Sequence, residues 1–86
     1  MPEISRFFGI IIKMFLDDHN PPHFHAEYGD QTALVDIRNL SIFAGRLPPR
    51  VTGFVIEWAT IHQQELLDAW DKAKALQAPA KIAPLA

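Results

Sequence analysis

The chain has 86 residues, 49% hydrophobic and 21% charged, with eight basic side chains against ten acidic ones. This length allows one domain, the composition excludes disorder, and a net charge of −2 argues against a protein that coats nucleic-acid phosphates. The absence of cysteine excludes disulfides, thiolate metal sites, iron–sulfur clusters and a cysteine nucleophile. No apolar stretch approaches the roughly 20 residues that span a bilayer. No long apolar segment follows the first basic residue, as a secretory signal requires, so a cytoplasmic location with no membrane partner is expected.

Pro2–Phe8 reads as a lead-in. Gly9–Leu16 (GIIIKMFL) is rich in Ile and Phe and predicts a strand. Asp17–Pro22 (DDHNPP) combines Asp, Asn and two prolines, the composition of a turn. In His23–Tyr28 the side chains alternate, with Phe24, Ala26 and Tyr28 on one face and His23, His25 and Glu27 on the other. Gly29-Asp30 suits a two-residue hairpin turn. Gln31–Ile37 alternates again, and Leu40–Ala44 is a candidate short fourth strand ended by Gly45. Pro48-Pro49 marks a helix start, where the missing proline N–H costs nothing. From Arg50 to about Leu76 the apolar residues recur every three or four positions, through Val51, Val55, Trp58, His62, Leu66, Trp70 and Ala73. Gly53 inside this pattern costs about 1 kcal/mol against alanine, so an irregular first turn is expected.

The fold predicted is α+β: a three- to four-stranded antiparallel meander with one long C-terminal helix packed on one face. Residues 1–77 form the domain. Residues 78–86 are an Ala/Pro-rich C-terminal tail that either frays or docks through Ile82 and Leu85. A core this small makes a second subunit a useful stabiliser, so a homodimer is allowed.

A two-residue loop at Gly29-Asp30 fixes the hairpin register. On the core side Ala26 faces Ala33 and Phe24 faces Val35; on the other side Glu27 faces Thr32, His25 faces Leu34 and His23 faces Asp36. Opposed side chains lie about 5 Å apart, so a carboxylate–imidazole contact between Asp36 and His23 is expected. For the first strand, Met14 opposite Ala26 places Lys13 opposite Glu27, Phe15 opposite His25 and Asp17 opposite His23. A shift of two residues would keep the same faces.

Three of the four histidines, His19, His23 and His25, fall within seven residues. Metal binding is one reading: imidazoles completed by Asp17, Asp18 or Glu27 suit a divalent ion such as Zn or Ni. Acid–base catalysis is a second, because a histidine oriented by carboxylates serves hydrolysis and RNA cleavage, and RNA supplies its own 2′-hydroxyl nucleophile. The third is a rigid turn whose histidines bond backbone groups. His62, in the apolar helix stripe, reads as a core-edge residue. Arg38, Arg46 and Arg50 are the nearest approach to a basic patch and read as an ordinary helix-start surface.

The segments I-S-R-F-F-G-I-I-I-K-M-F (Ile4–Phe15), D-H-N-P-P-H-F-H-A-E-Y-G (Asp18–Gly29), L-P-P-R and E-W-A within Leu47–Ala59, and K-I-A-P-L (Lys81–Leu85) resemble the small bacterial proteins of the domain-of-unknown-function family numbered 4160. The likeness covers essentially the whole chain, and H-N-P-P-H-F-H is its most specific part. The resemblance implies a short stand-alone intracellular protein and a neighbouring gene for a second small protein, a two-gene module like toxin–antitoxin pairs. It implies no established activity. A weaker similarity to the HicA-type RNA-cleaving toxins would give His23 or His25 the catalytic place, but the G-S-H-H-type motif is absent and the chain is acidic where those toxins are basic.

The functional expectation is a component of such a module with a histidine-rich functional face. If it cleaves RNA, His23 is the general acid or base, Asp36 and Asp17 orient it, and His25 and Lys13 stabilise phosphoryl charge. Two alternatives stand beside it. One is a non-enzymatic binding module that docks a partner protein through Phe15, Leu34 and the histidines. The other is a metal-dependent protein that uses His19, His23 and His25.

Overall fold

The computed structural model describes residues 3–86. Among them the chain forms five strands, β1 (Glu3–Phe7), β2 (Ile10–Lys13), β3 (His23–Tyr28), β4 (Gln31–Asp36) and β5 (Ser41–Gly45), then two helices, α1 (Pro49–Ile61) and α2 (Gln63–Lys74). The strands make one antiparallel meander in the order β1-β2-β3-β4-β5. The α+β class and the meander are as expected. The strand and helix counts are not.

The extra strand is β1, in the segment read as a lead-in, of which Pro2 lies outside the described residues. Its inside–outside alternation breaks because Ile4 and Ser5 are both buried, and the register shifts between Glu3 and Ser5. Phe8 and Gly9, both at positive φ (52° and 77°), make the two-residue turn into β2, the backbone such hairpin turns need. The expected fourth strand is β5.

The helix divides at His62, whose φ of −109° and ψ of 22° leave the helical region. The apolar stripe continues past this point, which is why the pattern reads as one helix. Gln63 fixes the break from outside: its Nε2 donates to the Ile37 carbonyl oxygen at 2.8 Å and to that of Arg38 at 3.2 Å. The expected irregularity at Gly53 is absent, since α1 runs through it unbroken.

The β3–β4 register is as expected, from Tyr28↔Gln31 to His23↔Asp36. The β2–β3 register differs by two residues, with Ile12 rather than Met14 opposite Ala26. The faces survive this slip. Ile10, Ile12, Met14, Phe24, Ala26, Ala33 and Val35 are all fully buried, together with Val55, Trp58, Ala59, Leu66 and Ala73 from the helices. Each such large aliphatic side chain contributes about 1.5–3 kcal/mol of burial free energy.

Residues 78–86 have no regular structure but are docked. Ile82 is buried, its N–H donates to the Ile4 carbonyl oxygen at 2.8 Å, and Trp58 Nε1–H donates to the Ala83 carbonyl oxygen at 2.8 Å.

Candidate metal centre

Alternation on β3 sends His23 and His25 to the same side. Their imidazoles converge on one oxygen: His23 Nε2 is 3.1 Å and His25 Nε2 3.0 Å from Asp18 Oδ2. These three residues are the one group of three or more metal-capable side chains among the described residues, with one ligand atom from each lying within 4.8 Å of the others.

Asp18 comes from the β2–β3 loop, and the loop is tied to the end of α2. Asp17 N–H donates to the Ala73 carbonyl oxygen at 3.0 Å, and Lys74 Nζ donates to the Asp18 carbonyl oxygen at 3.0 Å. The carboxylate is then aimed from within the loop, because the His19 backbone N–H donates to Oδ1 at 2.8 Å and leaves Oδ2 for the imidazoles. Burial pushes the Asp18 carboxyl up, but the hydrogen bond from His25, the His19 N–H and the charges of His23 and His25 together hold it below its ordinary value.

His23 is the most enclosed of the three, with a side chain 5% exposed. Trp70 of α2 lies 5.2 Å from its ring and Phe43 of β5 meets it edge-on at 5.4 Å. Its Nδ1 is 2.7 Å from the Pro21 carbonyl oxygen. A carbonyl oxygen only accepts, so Nδ1 carries the proton. In the neutral ring Nε2 is then a bare lone pair pointed at a carboxylate oxygen. Two facing lone pairs repel, so the arrangement calls for a cation between them, either a proton on Nε2 or a metal ion. Phe15 meets the His25 ring edge-on at 4.4 Å and fixes the second imidazole.

The three side chains lie close enough to share one ion. With metal–ligand bonds of about 2.1 Å, adjacent ligands lie roughly 3.0 Å apart in an octahedron and 3.4 Å in a tetrahedron. The Nε2–Oδ2 separations of 3.1 and 3.0 Å suit the edge of an octahedral shell and an N–H···O hydrogen bond alike. The Nδ1–H bond to a backbone carbonyl is the outer contact that usually orients a metal-bound histidine.

Asp18, named in the sequence only as one of three carboxylates that would complete a site, is the residue that meets the histidines. Asp36 is directly opposite His23 in register, yet its carboxylate does not turn to the imidazole. Oδ1 accepts the backbone N–H groups of Arg38 and Asn39 at 2.8 and 2.9 Å, closing the turn after β4. Asp17 faces Lys74, with Oδ1 3.4 Å from Nζ. Lys13 is paired with Glu27 at 3.1 Å despite the slipped register. His19 is exposed and contributes its backbone alone. The loop residues follow no period, so no alternation argument could rank Asp18 above its neighbours. His62 lies against Trp58 at 5.6 Å and bonds Glu65 at 2.6 Å, the core-edge place its stripe position implies.

A family model described as a domain of unknown function (DUF4160) matches residues 9–71. The chain belongs to this family. The matched span contains all three converging residues. No curated protein and no solved structure was found to match. Among the described residues no helix is long and apolar enough to cross a membrane.

Proposed function

We propose that this DUF4160 protein binds a divalent transition-metal ion, zinc or nickel, through Asp18 Oδ2, His23 Nε2 and His25 Nε2. The observation that carries this reading is the contact of His23 Nδ1 with the Pro21 carbonyl oxygen, which turns Nε2 toward the carboxylate and calls for a cation between the two. Two imidazoles and a carboxylate form a donor set that borderline divalent ions accept. Three protein ligands leave further coordination positions free, the condition for polarising a water or a substrate oxygen. Calorimetric titration of untagged, chelator-treated protein with zinc and with nickel tests it. One equivalent should bind, and His23→Ala with His25→Ala should abolish binding. Wild-type protein that takes up neither ion, and gains no thermal stability from them, ends this reading.

A second reading is that another protein covers the face around these histidines. Leu16 is 45% exposed, and Phe15 and Leu34 are half-buried, close to the ligands in chain or register. Apolar side chains grouped around a polar centre suit a face that another protein covers. In the toxin form of this reading, induced expression arrests bacterial growth, and either the double histidine variant or the neighbouring gene relieves the arrest. Normal growth on induction removes it.

A further inference from the structure

We infer that the end of the sheet opposite the histidines holds a binding site for a small planar aromatic anion, formed by Phe8, Tyr28, Arg50 and Phe54. The site does not depend on the metal centre. His23 and Tyr28 are the first and last residues of β3, about 17 Å apart at the rise of an extended strand.

Three separate segments meet here. Phe8 comes from the β1–β2 turn, Tyr28 from the end of β3, and Arg50, Val51 and Phe54 from the first turns of α1. Between them lies an open cavity of about 560 Å³, inside the range of about 300–1,000 Å³ usual for small-molecule sites. The ring centroids of Phe8 and Phe54 are 5.1 Å apart and the rings are tilted by 55°. Phe8 is 53% and Tyr28 38% exposed, so their aromatic surface is not consumed by the core.

Phe8 holds its place against a backbone cost. Its φ of 52° is left-handed, which costs a residue with a Cβ about 1–2 kcal/mol. Asn, Asp or Gly is the usual occupant of that turn position. Burial does not repay the cost, since more than half of the side chain is exposed. Residues held in such conformations cluster at ligand clamps.

Charge and shape then select the ligand. Arg50 is the one charged side chain that lines the cavity. Its guanidinium stands over the Phe54 ring, with Cζ 5.7 Å from the centroid. Among the described residues no carboxylate pairs with it, and the first turn of α1 has no acidic residue. A guanidinium stacked on a ring keeps its N–H edge for a carboxylate or a phosphate, which it takes through two parallel bonds. A neutral aromatic molecule would leave this cation unused. An aliphatic anion would leave the rings without the stacking partner that flat faces prefer.

Titration of full-length, chelator-treated protein, followed by amide chemical shifts, tests the inference. The probes are phenylacetate, a carboxylate, and adenosine monophosphate, a phosphate, each beside its neutral counterpart, phenylacetamide and adenosine. At least one anion should bind with a Kd below about 1 mM, moving the amides of Phe8, Tyr28 and Phe54 and leaving those of His23 and His25 in place. The tighter of the two identifies carboxylate or phosphate as the group that Arg50 receives. Its neutral counterpart should bind at least about tenfold more weakly. Arg50→Gln, which removes the charge, and Phe8→Asn, which removes the ring but suits the turn, should each weaken the anion by a similar factor while native circular dichroism is kept. If neither anion binds at about 10 mM, or a neutral counterpart binds equally well, or the shifts fall away from these residues, the inference is overturned. It also fails if Arg50→Gln binds the anion as the wild type does.

Discussion

The His19 backbone N–H holds Asp18 Oδ1 at 2.8 Å, and this one bond decides which carboxylate oxygen faces the imidazoles. The aiming is done by backbone, so the His19 ring itself is free. Two substitutions should therefore separate cleanly. Asp18→Asn keeps the shape of the side chain but removes its charge and half its acceptor capacity, and should lower zinc affinity by at least tenfold to a hundredfold, about the loss found even for outer-shell partners. His19→Ala should leave affinity unchanged within error. Calorimetry on the two variants decides it, and equal losses would mean that His19 ligates through its ring.

The same carboxylate gives an acid-stability signature in metal-free protein. The folded-state value of Asp18 lies below its unfolded value, so its contribution is fully present above the unfolded value, about pH 3.9, and is lost as the pH falls through the folded value. The hydrogen bond from His25, the His19 N–H and the charges of His23 and His25 supply the favourable interaction. Urea unfolding in the presence of chelator should show wild type losing stability from pH 5 to 3 more steeply than Asp18→Asn. Parallel curves would show that the carboxylate gains nothing from its partners.

The β3–β4 hairpin was fully legible because two independent signals agreed: strict alternation on both strands and a two-residue Gly29-Asp30 turn. The β2 strand had only alternation. Alternation specifies faces but not register modulo two, and Ile10, Ile12 and Met14 satisfy either register. β1 was hidden by its irregular pairing, which buries Ile4 and Ser5 together. The division at His62 was hidden because an apolar stripe reports a helix face and not the angles of one backbone unit. The site followed the same logic. His23 and His25 lie on a periodic strand and could be placed. Asp18 lies in an aperiodic loop pinned by contacts to α2, 56 residues away in sequence, and only the folded chain brings it to them. The expected Asp36 contact was right in register and wrong in rotamer, because two backbone N–H groups of the following turn claim the carboxylate first.

Two glycines at positive φ should respond differently to the same change. Gly29, at φ 61°, has open space where a Cβ would go, so Gly29→Ala costs only the left-handed backbone, about 1–2 kcal/mol. Gly45, at φ 73°, lies against the backbone of β4, and a Cβ there would collide with the Thr32 carbonyl oxygen and crowd Ala33 Cα. Gly45→Ala should therefore cost clearly more than Gly29→Ala, by about 1 kcal/mol or more. The midpoints of urea unfolding rank the two directly, and a reversed order would show that β5 can draw back from β4 at little cost.

The C-terminal segment carries a prediction about stability. Ile82 is 6% exposed and belongs to the same apolar cluster as Trp58 and Ile4. Its backbone bonds Ile4, and its neighbour Ala83 accepts the Trp58 indole N–H. Removing three carbons at Ile82 leaves a void in that cluster that the short segment can only partly close, so Ile82→Ala should destabilise by about 2 kcal/mol or more. Leu85 is half-buried, and Leu85→Ala should cost about half as much. Ending the chain after Gln77 should cost more than either, because it also leaves the buried Trp58 N–H without its acceptor, a loss of roughly 1–3 kcal/mol by itself. Chemical unfolding of the three proteins tests the order. If truncation were neutral, residues 78–86 would be an appendage rather than the cover of the β1 edge, and Trp58 would have to find water in place of Ala83.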